Sequence, residues 1–398
     1  MRYICDIIRL MKRTVKLLIA AAAFTALWIT AKLLAGNEAV SEAVAGTASR
    51  GLITAVGAMT SVLPFSLFEF FFYAVIIGGV TVLVKIIKSF VKRDWRRGLR
   101  LISETLCAVF CVLFIYSVTA SFAYGRKEID FMLPEFTMDE TLAYDAAAYY
   151  TDGLAELANG MERDGKGNVI SPYTFKELNA KLKEEYKRLD NNPYFSRFTP
   201  RAKKPLASPF LAALDIGGFF FAPIGEANVS GVAAAYDLPF TAAHEMAHAK
   251  GAMREFDANL TAYYILMTSD DPFLRYSGYM CGISYMLDAV YYSSPESRDE
   301  LRAQIPPAVF TEYKNAHELY ARYNSFVTDI SDWFNDMYLK FNGQKDGTDS
   351  YLDFGDVEII PVEPTEPNEE PPPPIRVPQY SQTQKVMAGI YLMKYPSP

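Results

Sequence analysis

Three apolar stretches of membrane length occupy the first third of the chain, at residues 17–34, 65–84 and 105–122. Each is close to the roughly 20 apolar residues that a helix needs to cross a bilayer. The nearest charged residues, Lys32, Glu69 and Glu104, lie near the ends of these stretches, where long side chains reach the interface. The pattern predicts an α-helical membrane domain, residues 1–125, with three transmembrane helices and the lipid bilayer as its partner.

The first stretch has an alternative interpretation as a cleaved signal peptide, because a basic segment precedes it and small residues follow. The two further apolar stretches favour a multi-span anchor. Five Lys and Arg precede the first stretch and seven lie between the second and the third, whereas Arg50 is alone between the first and the second. By the positive-inside rule, we predict a multi-pass cell-membrane protein with a cytoplasmic N-terminus and an extracytoplasmic domain after about residue 124.

The charge is divided unevenly along the chain. Residues 1–125 hold 14 Lys and Arg against 6 Asp and Glu, whereas the remainder holds 25 against 40. A basic, apolar front end and an acidic back end are typical of a membrane module joined to a water-soluble domain, and they argue against nucleic acid as a partner. We predict a soluble domain at residues 126–355, followed by an acidic, proline-rich linker and C-terminal tail at residues 356–398.

Helical patterns dominate the predicted soluble domain. We expect helices at residues 138–161, 254–267, 276–292, 307–323 and 324–341, one from Ser171-Pro172 to about residue 189, and a terminal one at 384–395. Residues 276–292 are apolar enough to suggest a fourth span, but Asp288 and the short length favour a buried core helix. Residues 216–222 and 228–236 read as extended, and residues 363–378 as an extended linker.

The strongest chemical signal is the H-E-x-x-H motif His244-Glu245-Met246-Ala247-His248. On a helix ending near Gly251, histidines at i and i+4 point the same way, so both can bind one ion. Zinc hydrolases use such a pair and keep an open position for water. We therefore predict Zn²⁺ as cofactor, His244 and His248 as ligands, and Glu245 as the general base that accepts a proton from water.

A third ligand is expected from the next helix, which offers Glu255, Asp257 and Asn259. Glu255 and Asn259 are four residues apart and share a face, whereas Asp257 lies about 200° from Glu255 around the helix. We predict Glu255 as the ligand and Asn259 as the group that orients a histidine, with Asp257 as the alternative ligand.

An oxyanion-stabilising donor is also expected near a site of this kind. Tyr276, Tyr338 and Tyr351 are the candidates, although core packing is the usual role of a tyrosine.

Several segments together resemble an uncharacterised family of bacterial membrane proteins, domain of unknown function 3810. They are Phe221-Ala-Pro-Ile-Gly225-Glu226-Ala-Asn228, Leu238-Pro-Phe-Thr-Ala-Ala-His244-Glu-Met-Ala-His248, Glu255-Phe-Asp-Ala-Asn259, Arg275-Tyr-Ser-Gly278 and Gly343-Gln-Lys-Asp-Gly347 with Ser350-Tyr351. The resemblance implies three N-terminal spans joined to a peptidase-like domain. The second and third segments also resemble gluzincin metallopeptidases. That resemblance implies Glu255 as third ligand and a substrate-binding strand in the 225–236 region. The run that usually follows Ser-Tyr in the family is replaced here by the acidic, proline-rich insertion.

The predicted fold is thus an α-helical membrane anchor plus a mainly α, α+β zincin-like domain. The predicted function is zinc-dependent hydrolysis of peptide or protein substrates at the outer face of the plasma membrane. The alternative is a non-catalytic membrane receptor or assembly factor with a structural or sensory metal site. An intramembrane protease fits poorly, since His244 and His248 are not within a membrane-length apolar run.

Overall fold

A computed structural model describes residues 2–360 and 375–395, and most of them are helical. The helices are α1 (Arg2–Leu34), α2 (Glu38–Val44), α3 (Arg50–Thr60), α4 (Leu67–Val91), α5 (Trp95–Tyr116), α6 (Phe122–Tyr124), α7 (Glu140–Gly160), α8 (Phe175–Tyr186), α9 (Ser208–Ala213), α10 (Asp237–Lys250), α11 (Glu255–Met267), α12 (Pro272–Ser293), α13 (Pro295–Gln304), α14 (Pro307–Ala321), α15 (Phe326–Phe341) and α16 (Gln382–Lys394). Two antiparallel hairpins complete the fold: β1 (Gly218–Phe221) with β2 (Glu226–Val229), and β3 (Asp356–Ile360) with β4 (Ile375–Gln379). A mainly helical chain with few strands is thereby confirmed.

Three helices are long and apolar enough to cross a membrane, as predicted: Lys12–Leu34, Leu67–Val91 and Trp95–Tyr124. The second begins at the N-cap Ser66, whose side chain accepts from Glu69 N, and the third at Asp94, whose side chain accepts from Arg97 N. None of the apolar window of α4 is buried inside the protein, so its Val, Ile and Phe side chains are free to face lipid.

Two short helices that the sequence did not predict, α2 and α3, fill the connection between the first two membrane-length helices. This connection contacts the chain beyond the third. Arg126 pairs with Glu42 at 3.0 Å, and Arg50 donates to Tyr194 O at 2.8 Å. The connection and the domain after residue 125 therefore lie at the same end of the three helices. The basic turn between α4 and α5 lies at the other end.

Most of the helices beyond residue 125 share one hydrophobic core, to which α9 and α15 do not contribute; in it α7 packs against α12, and α10 and α11 pack against both α12 and each other. Tyr150, Met246, Leu266 and Tyr276 are fully buried there. These large side chains fill the space between the helices, and Ala258 of α11 is buried among them.

The start of α8 differs from the prediction. The helix begins at Phe175, and its N-cap is Thr174 instead of Ser171. The reason is a capping box: the Thr174 side chain accepts from Glu177 N, and Glu177 accepts from Thr174 N. Ser171 instead accepts from Tyr173 N in the turn before the helix.

The C-terminal helix α16 is present where a terminal helix was predicted, and it is part of the core. Met387 is fully buried, and its carbonyl accepts from the Tyr150 hydroxyl at 2.8 Å. Most of the predicted extended linker at residues 363–378 lies outside the described residues. Its last four residues belong to β4, which pairs with β3 and brings the chain back to α16.

Candidate metal centre

The H-E-x-x-H motif lies in the second half of α10, and His244, Glu245 and His248 are all buried. The helix ends at Gly251, which has φ +113, the left-handed conformation that glycine adopts without strain. This turn sends Ala252 back beneath the helix, where its carbonyl accepts from His248 Nδ1 at 2.8 Å. The glycine therefore fixes the tautomer of His248, leaving Nε2 as the free acceptor.

Asn259 of α11 fixes the tautomer of His244. Its Nδ2 donates to Tyr351 O at 3.0 Å, so its Oδ1 must be the atom that faces His244 Nδ1, at 2.8 Å. An amide oxygen only accepts, and Nδ1 of His244 therefore carries the proton. Both histidines thus direct Nε2 to the space between α10 and α11, and in the neutral imidazole this nitrogen is the acceptor.

Glu255, at the start of α11, completes this cluster. Its Oε2 lies 3.1 Å from His244 Nε2 and 3.4 Å from His248 Nε2, and the two Nε2 atoms lie 3.1 Å apart. The three residues form a group able to hold one metal ion. In a tetrahedral site with bonds near 2.0–2.1 Å, ligand atoms are about 3.3 Å apart. The observed spacing is therefore close to that expected of three atoms that bind one zinc ion.

The electrostatics of Glu255 agree with a ligand role. Burial alone would raise its pKa, but the charge that His248 carries when protonated, and hydrogen bonds from both imidazoles, lower the pKa of Glu255 to about 2. The carboxylate is therefore ionised at neutral pH and available to a cation.

Asp257, the alternative third ligand, points elsewhere. Its carboxylate accepts from Arg254 Nε at 2.7 Å, and the Tyr194 hydroxyl lies 3.4 Å from it. This follows from the helical period, since residues i and i+2 face opposite sides of a helix. Asp257 has an ion-pair role at the start of α11, and the structure does not bring it to the two histidines.

Glu245, the predicted general base, lies beside the cluster. It is 4% exposed, and its Oε2 has no hydrogen-bond partner among the described residues. Burial raises the pKa of Glu245 to about 8, with protonated His244 opposing the shift and Glu255 adding to it. A buried carboxyl without a partner is costly in a structural role, but a base that must exchange protons needs a free oxygen.

The β1–β2 hairpin covers this carboxyl, a contact that the sequence did not predict. A Cβ on Gly218 would lie 2.6 Å from Glu245 Oε1, so only glycine fits there. Phe220, two residues on and on the same face of β1, stacks with the His248 ring at 6.2 Å between centroids. A glycine inside a strand is the signal that could have indicated the close approach.

The open edge of the hairpin is β1, and this corrects the expectation that the 225–236 region would hold a substrate strand. β2 is occupied on both sides, by β1 and by an isolated bridge with Lys203, whose N donates to Ala227 O at 2.9 Å. Within residues 2–360 and 375–395, no third strand pairs with β1. The register directs the backbone groups of Gly218 and Phe220 to this open edge, while the Cβ direction of Gly218 and the Phe220 ring face Glu245 and His248.

The three candidate tyrosines lie in two different parts of the domain. The Tyr276 hydroxyl donates to Glu312 at 2.5 Å and accepts from Arg163 at 3.2 Å, so it is engaged in a different buried cluster. Tyr351 is close to the centre: burial raises the pKa of its hydroxyl, and the charges of Glu255 and Glu245 raise it further.

Tyr338 also belongs to the surroundings of Glu255, whose charge adds to burial in raising the pKa of the Tyr338 hydroxyl. That hydroxyl lies 2.7 Å from the hydroxyl of Tyr116 at the end of α5. The metal centre is therefore adjacent to the end of the membrane-length helices.

Comparison with known proteins gives one family. A family model described as "Protein of unknown function (DUF3810)" matches residues 49–357, a range that includes two of the three membrane-length helices and the whole metal centre. No curated protein and no solved structure gives a significant match.

Proposed function

Since the chain belongs to the DUF3810 family of proteins of unknown function, we propose its function from the site itself: a membrane-anchored, zinc-dependent peptidase. The observation that supports this most strongly is the unpartnered Oε2 of Glu245, in the turn of α10 between the histidines of the three-residue cluster. A structural metal site has no need of an unpaired acid next to it. This distinction favours catalysis over the alternative of a receptor or assembly factor.

His244, His248 and Glu255 would hold the ion, whose chemistry when bound is that of a Lewis acid which acidifies water and polarises a carbonyl. Glu245 accepts the proton of the attacking water and returns it to the nitrogen of the leaving amine. Its buried Oε2 has no hydrogen-bond partner among the described residues and is therefore free to accept and release that proton. Tyr338 or Tyr351 would donate a hydrogen bond to the developing oxyanion.

The open edge of β1 suits a polypeptide substrate. An extended chain added to this edge would gain backbone hydrogen bonds at Gly218 and Phe220 and would pass beside Glu245. Recognition of this kind uses the backbone, so it favours peptides and unfolded protein segments over nucleic acid or small molecules.

The membrane placement is part of the same proposal. The positive charges before α1 and between α4 and α5 favour a cytoplasmic N-terminus. The metal centre lies at the opposite end of the helices, and this end would be extracytoplasmic. Substrates would then be proteins or peptides at the outer face of the plasma membrane.

The test is peptide hydrolysis by the full chain in detergent, loaded with zinc, against a library of quenched fluorescent peptides. Loss of a general base costs about 10²–10⁴-fold in rate. Glu245→Gln is expected to lose this much and to retain its metal, whereas Glu300→Gln, the same change on the exposed side of α13, retains activity. Equal hydrolysis by wild type and Glu245→Gln would reject the proposed mechanism. Retained zinc with no hydrolysis in any variant would favour the non-catalytic alternative.

A further inference from the structure

Helix α15 carries an apolar face that the described part of the chain leaves largely exposed, apart from a contact at its C-terminal end. Its members recur with the helical period and fall within about 100° of arc. They are Phe326, Ile330, Trp333, Phe334, Met337 and Phe341, each between 47% and 75% exposed. Six large apolar side chains in one strip are more than a water-facing helix normally presents, and such a strip marks an interaction surface.

The opposite face of α15 already has its partners in the domain. Leu339 is fully buried, and the Thr328 hydroxyl donates to Ala213 O at 3.1 Å. Asp329, Asp332 and Asp336 lie along one flank, between the two faces. The helix is thus attached to the protein by one side and directs the apolar face away from it.

The end of α15 contacts the membrane-length helices below their outer ends. The Phe341 ring stacks with Trp28 of α1 at 6.3 Å, and Lys32 donates to Phe341 O at 3.2 Å. Trp28 precedes Leu34, the last residue of α1, by about 9 Å at 1.5 Å per residue. At the end of the third span, the Tyr338 hydroxyl lies 2.7 Å from the Tyr116 hydroxyl and 3.3 Å from the Tyr124 hydroxyl. The C-terminal half of α15 therefore lies at the depth where the spans leave the hydrocarbon.

We propose that α15 is an interfacial helix that lies in the plane of the membrane surface, with its apolar face inserted among the lipid acyl chains. Its contacts with α1 and α5 make the apolar face continuous with the lipid-facing surface of the spans. The polar flank with its three aspartates remains in water, as in other amphipathic interfacial helices. A bilayer therefore accounts for the whole uncovered face without a further protein.

Lipid contact at α15 also reaches the metal centre. The segment that follows the helix holds α11, since Gln344 Oε1 accepts from Glu255 N at 3.4 Å and Tyr351 O accepts from Asn259. The bilayer thus supports the segment against which the ligand helix rests. This inference does not depend on hydrolysis, because it requires only the fold and the membrane.

The test uses Trp333 as a depth probe. The chain has three tryptophans, and Trp28→Phe with Trp95→Phe leaves Trp333 alone while keeping aromatic rings at the other two positions. The full chain is reconstituted in phosphatidylcholine vesicles with or without brominated acyl chains. We expect Trp333 to lose about half of its fluorescence or more in the brominated lipid, and to be largely protected from aqueous iodide.

A matched control moves the indole by one residue. In the same background, Trp333→Phe with Asp332→Trp places the probe on the polar flank, and there iodide quenching should exceed bromolipid quenching severalfold. Iodide quenching of Trp333 equal to that of the control would overturn the proposal, because the apolar face would then be in water. Protection of Trp333 from both quenchers would also overturn it, in favour of a second copy of the chain or another protein.

Discussion

The join between the membrane helices and the metal domain contains a buried ion pair that is open to a quantitative test. Lys203 and Glu226 pair with one another and are 2% and 1% exposed. Lys203 also donates to Thr60 O at 2.9 Å, and Glu226 accepts from Leu67 N and Phe68 N at 3.2 and 3.0 Å. One carboxylate thus joins β2 to the first turn of α4.

Lys203→Met removes the counter-ion and leaves the carboxylate buried. Breaking a buried pair costs about 3–5 kcal/mol. The first turn of α4 still faces Glu226, and a helix N-terminus stabilises a carboxylate by up to about 2 kcal/mol. We therefore expect a loss of about 1–3 kcal/mol in the free energy of unfolding, or about 1–4 °C in the apparent Tm of a chain of this size.

The double variant Lys203→Met/Glu226→Gln tests the reasoning. The glutamine is neutral, and its oxygen still accepts from Leu67 N, so the double variant should regain about 1 kcal/mol relative to Lys203→Met. The assay is thermal unfolding in detergent, with Lys204→Met as control, because Lys204 is exposed and its contact with the Phe175 ring is worth about 1 kcal/mol or less. A double variant less stable than Lys203→Met would refute the argument that an uncompensated charge is the cause.

Three further predictions concern the metal centre. Asn259→Ala removes the hydrogen bond that orients the imidazole of His244, and it should weaken zinc binding about 10–100-fold, measured by competition with a chelator. Unchanged zinc affinity would show that Asn259 does not orient a ligand. Gly218→Ala should lower peptide hydrolysis at unchanged zinc content, because its Cβ displaces the Glu245 carboxyl, and full activity would mean that the hairpin is not held against that carboxyl. Asp257→Asn should keep its zinc and lose about 1–3 kcal/mol of stability through the pair with Arg254, and zinc loss in a folded variant would restore Asp257 as a ligand.

Features set by neighbouring residues could be predicted from the sequence. The three membrane-length helices follow from apolar runs, and the i, i+4 spacing alone puts both histidines on one face of α10. The same period placed Glu255 with Asn259 and turned Asp257 away, and the structure has Glu255 and Asn259 in contact with His244.

Contacts between distant segments could not be predicted in this way. Gly218 meets Glu245 across 27 positions in the chain, and Lys203 meets Glu226 across 23. A glycine inside a strand indicates a close approach at Gly218, but no local pattern identifies the partner in either contact. The apolar period of α15 is visible in the sequence, but it cannot distinguish a face that packs into a core from one that faces lipid. Only the position of the helix beside Trp28 indicates which of the two applies.

The most direct test of the metal centre is the zinc content of the purified full chain after dialysis, for wild type, His244→Ala, Glu255→Gln and His317→Ala. His317, the third histidine of the chain, is exposed on α14 and serves as control. We predict about one equivalent of zinc in wild type and His317→Ala, and a sharp loss in the other two variants. A folded wild-type protein without zinc, or a Glu255→Gln variant that binds it as tightly as wild type, would contradict the assignment of His244, His248 and Glu255 as the metal ligands.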